Sequence, residues 1–341
     1  MKKKLTALIA SVLAAATLTG CLSSTTPKAD DKSGSASTST STAATKTDAR
    51  VFRIGAVSNP TDIMAEAGQM FCDLATERLG GEIVFEYYPG EQLGNSSAML
   101  ENMQEGMTIS LDSLAAYSPD LNIMAMAFAF EDMDHLMAYL DSDYGKAALA
   151  KLEGQGFHML NYNFQKNPRC IFAKKPIAKA DDLNGVKLRV PDIAIFEKNF
   201  RQLGAVPTVV AWSEYTYALM QGVVDAGECT YENILANGFH LYAPYISLVD
   251  YAYALESIIL TPDAWNSLTP EQQKIVEECA EEASQWFNKE NASSWEEQKA
   301  QIEKDGGQFV EFDKESFIDK AAPLAQQLEE EKFFETPGLY D

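Results

Sequence analysis

The stretch VKLRVPDIAIFEKNFRQLGAVPTVVAWSEYTYALMQGVVDA, residues 186–226, decides the fold class. Alternating apolar and basic residues at its start predict a strand that carries Arg189 and stops at Pro191. The pattern then predicts a helix, a short strand, a second helix and the start of a third strand. Strands that alternate with helices are typical of a mainly parallel α/β sheet, in which ligands bind beyond the carboxyl ends of the strands.

A similar α/β unit is predicted earlier in the chain. Its strands are expected over residues 52–57, 83–88 and 109–111. The helix after the first strand ends at the Gly80-Gly81 pair, and Ser96 is placed to cap the helix after the second. Polar residues follow these strands at the predicted edge of a cleft, at Ser58-Asn59, Asn95 and Asp112-Ser113.

A long helix is predicted near the C-terminus. Thr269 is placed to cap it, Pro270 to occupy its first turn, and helix-compatible residues continue to Asp305. At a rise of 1.5 Å per residue this helix would extend about 54 Å, enough to lie across two lobes. One alternative is a coiled coil, for which the apolar residues keep no clean heptad. The other is a break between residues 288 and 294.

The N-terminus has the features of a targeting segment. A basic run at 2–4, a short apolar run and the sequence LTGC at 18–21 are typical of a lipoprotein signal peptide over residues 1–20, with lipidation at Cys21. The alternative is an ordinary cleaved signal with a chance cysteine. Residues 21–50 are rich in Ser, Thr, Ala and Lys, lack aromatic residues, and predict a flexible tether to the membrane.

Composition argues against several classes of function. A formal net charge of -23 argues against nucleic-acid binding, although a local arginine cluster can still hold an anion. Cys72, Cys170, Cys229 and Cys279 form no CxxC motif and the three histidines stand far apart, so neither a metal nor a cofactor is predicted. No nucleophile elbow or phosphate-binding loop suggests an enzyme. The Met- and Phe-rich segment 124–136 fits a packed core better than an adaptable binding surface.

Several stretches give the chain a family resemblance. They are YYPGEQLGNSSAMLENMQEG at 87–106, Arg169 ahead of KPI, DDLNGVKLRVP at 181–191, LGAVP at 203–207 and WSEYTYALMQGVVDAGE at 212–228. In this order they resemble the extracytoplasmic solute receptors of TRAP transporters, of the C4-dicarboxylate-receptor (DctP-like) type. The similarity runs from about residue 52 to residue 308.

The resemblance implies a two-lobed, periplasmic-binding-protein-like α/β fold with hinge strands and one long helix bridging both lobes. The first lobe is expected to comprise 51–166 and 255–294, and the second 167–254 and 295–341. The implied function is that of an extracytoplasmic, lipid-anchored, non-enzymatic receptor that delivers a small organic acid to a TRAP membrane permease. The alternatives are a receptor for an ABC importer or a sensor kinase, and a surface-anchored enzyme.

In the family, the arginine of the LRVP strand pairs with the ligand carboxylate, and this role falls on Arg189. A guanidinium fork matches a carboxylate with two parallel hydrogen bonds, which lysine cannot reproduce. From the residues alone, pairing of Arg189 with an internal acid such as Asp192 or Glu228 is an equal alternative. The resemblance also places Arg169 and Trp212 in the cleft, with a core position as the alternative for the tryptophan.

Polar first-lobe positions and one departure from the family complete the predicted site. Asn95 matches a polar position of the family, and Asp112 follows a predicted strand. Where the family commonly reads DGQEN, this chain reads DAGEC, so Cys229 replaces an asparagine that can touch the ligand carboxylate. A thiol is a weak donor and acceptor, and Tyr231 or Asn233 are the alternatives that could supply the missing contact.

Overall fold

The computed structural model describes residues 49–340. The predicted signal peptide, the lipidation of Cys21 and nearly all of the predicted tether lie outside these residues. The first strand begins at Arg50, the last residue of the predicted tether. Within the described part of the chain, no helix is both long enough and apolar enough to cross a lipid bilayer.

Strands and α-helices alternate along most of the described chain. The strands are β1 (Arg50–Ala56), β2 (Ile83–Tyr88), β3 (Gly106–Ser110), β4 (His158–Gln165), β5 (Arg169–Ala173), β6 (Lys187–Val190), β7 (Val206–Val209), β8 (Ala226–Thr230), β9 (Tyr245–Ser247), β10 (Leu255–Leu260) and β11 (Gln308–Phe309). The helices are α1 (Ile63–Arg78), α2 (Ser96–Glu101), α3 (Met133–Asp141), α4 (Asp143–Gly154), α5 (Ala194–Gln202), α6 (Tyr215–Gln221), α7 (Tyr231–Ala236), α8 (Pro262–Asn266), α9 (Pro270–Lys304), α10 (Lys314–Ala321) and α11 (Pro323–Glu330).

The strands form two sheets, each the centre of an α/β lobe. The first has the order β2-β1-β3-β10-β4 and the second the order β11-β9-β5-β8-β6-β7. In the first sheet β1 is parallel to β2 and β3, whereas β10 is antiparallel to β3 and β4. In the second, β6 is parallel to β7 and β8, whereas β5 is antiparallel to β8 and β9. The prediction of mainly parallel sheets is therefore wrong in part, because both sheets are mixed.

The mixed sheets follow from the path of the chain. It leaves the first sheet between β4 and β5 and returns between β9 and β10, so each lobe receives strands from separate parts of the sequence. A strand that arrives by such a crossing need not share the direction of the βαβ units already present. The two lobes are confirmed, while the residue boundaries given for them above remain a prediction.

Helix α9 contacts both lobes, as predicted. It is 35 residues long, or about 52 Å, and runs unbroken from Pro270 to Lys304. The Thr269 hydroxyl accepts a hydrogen bond from Gln272 N, and the Gln272 side chain accepts one from Thr269 N, which fixes the start of the helix. The helix packs on α1 and β4 of the first lobe and on α7 and β11 of the second.

The polar midpoint of α9 is anchored to the chain that leaves the first lobe. Asn288 Oδ1 accepts a hydrogen bond from Gln165 N at 2.7 Å, and Asn291 Nδ2 donates to Gln165 O at 3.2 Å. Asn291 Oδ1 also accepts a hydrogen bond from Asn167 Nδ2 at 3.0 Å. The alternative of a helix break is wrong. The side-chain amides of Asn288 and Asn291 bond to residues 165–167, where the chain passes from β4 to β5, and so do not compete for the hydrogen bonds of the helix backbone.

The opening stretch folds in the predicted order, as β6, α5, β7, α6 and β8. Helix α5 buries Phe196 and Phe200, and the side chain of Asn199 binds the backbone of the Met-rich segment, donating to Ala125 O at 2.7 Å. Met124 of that segment is 1% exposed and belongs to the same core cluster. Residues 124–130 are therefore packed core, as the composition favoured, whereas most of residues 131–135 are exposed.

Candidate ligand-binding cleft

A cleft of about 540 Å³ is lined by residues of both lobes. The first lobe contributes residues that follow β1 and β3, and the second contributes residues of β5, β6, β7 and β8. This volume lies within the range of small-molecule sites. The six predicted ligand-binding residues line the cleft, and their contacts with a ligand remain predictions: Asn95, Asp112, Arg169, Arg189, Trp212 and Cys229. Of the other residues predicted at the cleft edge, Ser58 and Ser113 line it, whereas Asn59 is not among the lining residues.

Arg189, on β6, is buried with most of its guanidinium unpaired. Only 3% of the residue is exposed. Its Nε donates to Val210 O at 2.9 Å, the one hydrogen bond that this side chain makes within residues 49–340. Glu228 Oε1 lies 4.0 Å from Nη1, which is too far for a hydrogen bond. The guanidinium rests on the ring of Tyr215, at 4.4 Å from the centroid. Its two terminal nitrogens are free to donate to a group in the cleft.

Arg169, on β5, is instead held by an internal acid. Its Nε and Nη2 donate to the two carboxylate oxygens of Glu228 at 2.8 and 3.0 Å. The Tyr251 hydroxyl donates to the same carboxylate at 2.6 Å, and Glu228 has no exposed surface. Pairing with an internal acid, the alternative considered for Arg189, is therefore found at Arg169 instead. Asp192 is exposed and forms no ion pair with any described residue.

The two guanidinium groups differ in their pKa values. Burial lowers the pKa of Arg169, but the charge of Glu228 outweighs it and holds that pKa well above its usual value. For Arg189 burial prevails over the negative charge of Glu228, and the pKa is lowered. An arginine stays protonated in proteins, so Arg189 is a buried cation with incomplete compensation.

Two first-lobe residues of the predicted site have different surroundings. Asp112 is 5% exposed and its carboxylate accepts no hydrogen bond from the described residues; the nearest cation is Arg169, with Nη1 3.7 Å from Oδ2. Asn95 is the N-cap of α2, because its Oδ1 accepts a hydrogen bond from Ala98 N at 2.9 Å. The prediction that Ser96 caps this helix is wrong, since Asn95 has the extended backbone of an N-cap and Ser96 is already helical.

Trp212 both lines the cleft and packs on the second-lobe core. Arg189 Cζ lies 5.4 Å from the centroid of its ring, and the ring meets Tyr215 edge-on at 5.8 Å. The Tyr215 hydroxyl accepts a hydrogen bond from Glu228 N at 2.8 Å. A Cβ on Gly227 would lie 1.6 Å from that hydroxyl oxygen, so the glycine is required for this contact. The platform under Arg189 is thus fixed by the backbone of β8.

Cys229 lies opposite Cys170 in the antiparallel pair of β5 and β8. Both cysteines are buried and free, and Cys170 Sγ donates to Cys229 O at 3.4 Å. Burial, together with the Cys170 contact, raises the pKa of the Cys229 thiol, which therefore stays neutral. Of the alternatives to the missing asparagine, Asn233 lines the cleft, whereas Tyr231 donates its hydroxyl to Asp250.

A buried charge cluster that the sequence did not reveal adjoins these residues. Lys166, between β4 and β5, lies 3.3 Å from Glu256 Oε2 and 4.0 Å from Glu232 Oε1. Asp62, the N-cap of α1, is also buried and lines the cleft. Burial lowers the pKa of Lys166, but the charges of the three acids outweigh it and raise that pKa. No motif pointed to this cluster, because its members come from four separate parts of the chain.

Two α/β lobes around a small cleft define the class of extracytoplasmic solute-binding proteins. Residues 54–332 match the family model for DctP, bacterial extracellular solute-binding protein, family 7, and the chain belongs to this family. The family is one of solute-binding proteins and not of enzymes, and its relatives include solute receptors of TRAP transporters. The family resemblance read from the sequence and the two-lobed fold are therefore confirmed.

Known relatives share most of the chain at low identity. The 2,3-diketo-L-gulonate-binding periplasmic protein YiaO of Escherichia coli is 28% identical over 247 residues, which cover 71% of this chain and 75% of that protein. The C4-dicarboxylate-binding periplasmic protein DctP of Rhodobacter capsulatus is 27% identical over 278 residues, or 80% and 82% of the two chains. The structure of a TRAP periplasmic solute-binding protein from a Polaromonas species, bound to D-erythronate, has a TM-score of 0.77 at 26% identity and covers 83% and 95%.

Proposed function

We propose that this receptor captures a small organic acid by its carboxylate through Arg189 and delivers the acid to a TRAP-type permease. The observation that carries the proposal is the state of Arg189, which is buried and charged with two terminal nitrogens unpaired among the described residues. Such a cation is poorly compensated without a ligand. A carboxylate would supply two charge-assisted hydrogen bonds in a geometry that matches the fork.

Neighbouring residues support this role. The rings of Tyr215 and Trp212 flank the guanidinium and restrict its orientation, so less conformational entropy is lost when a carboxylate binds. Arg169 has its Nη1 turned toward Asp112 and not toward Glu228, and this nitrogen can also reach a ligand. Asn95 lines the cleft from the first lobe, so a ligand held by Arg189 can bring the lobes together.

The known relatives agree with an acidic ligand. The names of the Escherichia coli and Rhodobacter capsulatus proteins describe a keto sugar acid and C4-dicarboxylates, and the Polaromonas protein holds D-erythronate. These ligands differ in size and in number of carboxylates, and they share at least one carboxylate group. The shared group is what a single unpaired guanidinium recognises.

Substitution of Arg189 tests the proposal. We expect Arg189→Ala to abolish calorimetric binding of the acids that the native protein binds, and Arg189→Lys to weaken it at least tenfold, because lysine lacks the bidentate fork. Circular dichroism and thermal unfolding of the free variants verify that the fold is retained. A folded Arg189→Ala variant with unchanged affinity would refute the assignment of the carboxylate clamp.

We further propose that Cys21 carries lipid and that the segment up to residue 50 tethers the receptor beside its permease. The support is the LTGC sequence and the composition of the segment. Because two or more acyl chains are needed for stable anchoring, Cys21→Ser should move the protein from the membrane fraction to the soluble fraction of cells. Retention of the Cys21→Ser protein in the membrane fraction after a carbonate wash would contradict the anchor.

A further inference from the structure

Four side chains form a row of alternating charge along the cleft, which we call the charge row: Asp112, Arg169, Glu228 and Arg189. Arg169 is bidentate to Glu228 in the middle of the row. At one end Asp112 Oδ2 lies 3.7 Å from Arg169 Nη1, and at the other Arg189 Nη1 lies 4.0 Å from Glu228 Oε1. The charges of the inner pair compensate each other, so the two outer groups carry the charges that remain largely uncompensated.

Both outer groups are buried and poorly paired. Asp112 is 5% exposed and lines the cleft, and no residue within 49–340 donates a hydrogen bond to its carboxylate. Arg189 is 3% exposed and uses only Nε within the same residues. Polar groups buried to this extent are normally hydrogen-bonded within the protein. Here one acceptor and one donor face the open cleft instead, where water or a ligand supplies their partners.

The balance of charge in the cleft limits how many anionic groups a ligand can bring. Six acidic and three basic side chains line it. Two of the three bases are already paired, Lys166 with Glu256 and Arg169 with Glu228. One uncompensated cation, Arg189, therefore remains for one carboxylate, and a second ligand carboxylate would add negative charge to a cleft that already carries more acids than bases.

The surroundings of Asp112 also distinguish between neutral and charged donors. A ligand ammonium at Asp112 would stand beside Arg169 Nη1, which lies 3.7 Å from the carboxylate, and the two cations would repel each other. A hydroxyl has no such penalty and donates one hydrogen bond to the carboxylate. Ser113 lines the cleft next to Asp112 and can bond a second hydroxyl.

We propose that the ligand is a hydroxy-monocarboxylic acid and that Asp112 is a specificity-determining residue that accepts a hydrogen bond from a ligand hydroxyl and disfavours dicarboxylates. The inference rests on the proposed function, because it takes Arg189 as the site of the ligand carboxylate. It separates this receptor from those relatives whose names specify C4-dicarboxylates.

Acids of equal carbon number test the inference directly. D-Erythronate, succinate and butyrate all have four carbons. D-Erythronate carries hydroxyl donors, succinate carries a second carboxylate, and butyrate carries neither. Calorimetric titration of the native protein compares their affinities. L-Galactonate and D-galacturonate extend the hydroxy acids to six carbons. We expect the best hydroxy acid to bind at least tenfold more tightly than succinate or butyrate. Succinate binding as tightly as the best hydroxy acid, or no binding by any hydroxy acid, overturns the inference.

Two substitutions show whether Asp112 is the cause. Asp112→Asn keeps an acceptor oxygen and removes the charge, so the preference for the best hydroxy acid over succinate should fall about tenfold. Asp319→Asn removes an equal charge at an exposed position of α10, outside the cleft, and should change that preference less than twofold. An unchanged preference in Asp112→Asn, or an equal loss in Asp319→Asn, would show that Asp112 does not select the ligand.

The Arg189→Ala variant separates the two proposals. If binding of every acid survives in this variant, the proposed carboxylate clamp fails and the inference built on it fails too. If binding is lost in Arg189→Ala while the native protein prefers succinate, the clamp stands and only the selection by Asp112 is overturned. Thermal unfolding of each variant without ligand confirms that the proteins compared are folded.

Discussion

The side chain of Glu228 governs the electrostatics of the cleft from a fully buried position. It accepts hydrogen bonds from Arg169 and Tyr251, and its backbone N–H binds the Tyr215 hydroxyl under Arg189. Glu228 thereby compensates one arginine completely and leaves the other largely uncompensated. This division of roles is why Arg189, and not Arg169, is the cation that we propose a ligand neutralises.

We expect Glu228→Gln to destabilise the protein by about 3 kcal/mol, because it leaves Arg169 buried without its counter-charge. Urea unfolding of the ligand-free protein measures the change. Glu197→Gln is the matched control: its ion pair with Arg201 is exposed on α5, and its loss should cost less than about 0.5 kcal/mol. Equal, small effects of the two substitutions would mean that the Arg169–Glu228 pair contributes little to folding.

The sequence predicted Arg189 as the residue that clamps the ligand, and this remains a prediction; it did not predict that Arg169 is paired with an internal acid. The LRVP strand pointed to Arg189, but alternation alone leaves open whether an arginine meets a ligand or an internal acid. Arg169 and Glu228 are brought together by the antiparallel register of β5 and β8, in which Cys170 lies opposite Cys229. That register depends on the return of the chain through the second lobe, which no local pattern encodes.

The elements show the same contrast between local and long-range information. The start of α9 could be read from Thr269 and the residues that follow, because a capping box is a local signal. The continuity of the helix could not be read from the sequence, because asparagines such as Asn288 and Asn291 are found both at helix breaks and in buried contacts. Their partner is Gln165, more than 120 residues away, and only the assembled lobes make that contact available.

The helix midpoint also links the two lobes mechanically. Asn291 contacts Gln165 at the end of β4 and Asn167 just before β5, on either side of Lys166. Lys166 in turn lies between Glu256 of β10 and Glu232 of α7. The segment that joins the lobes is therefore held by α9 on one side and by buried charges on the other, next to the cleft.

Over the whole molecule, an acidic chain with net charge -23 surrounds a cleft for which we propose an anionic ligand. The arrangement is possible because screening confines the effect of surface charges to about a Debye length, whereas buried pairs are screened much less. The cleft itself carries more acids than bases, and several of these acids are buried. Their protonation connects the stability of the whole protein to pH.

Mild acidification should therefore stabilise the ligand-free protein. Burial raises the pKa values of Asp62, Glu232 and Glu256, although Lys166 opposes the shift, so the folded state holds their protons more strongly than the unfolded chain does. Between the usual carboxyl pKa of about 4 and the raised values, stability increases as pH falls. We expect a higher melting temperature at pH 5 than at pH 7.5, with a smaller difference in Glu256→Gln than in Glu277→Gln, which removes an equal but exposed charge. If the melting temperatures of the two variants depended on pH in the same way, the pH dependence would come from the net charge of the whole protein and not from the buried acids of the cleft.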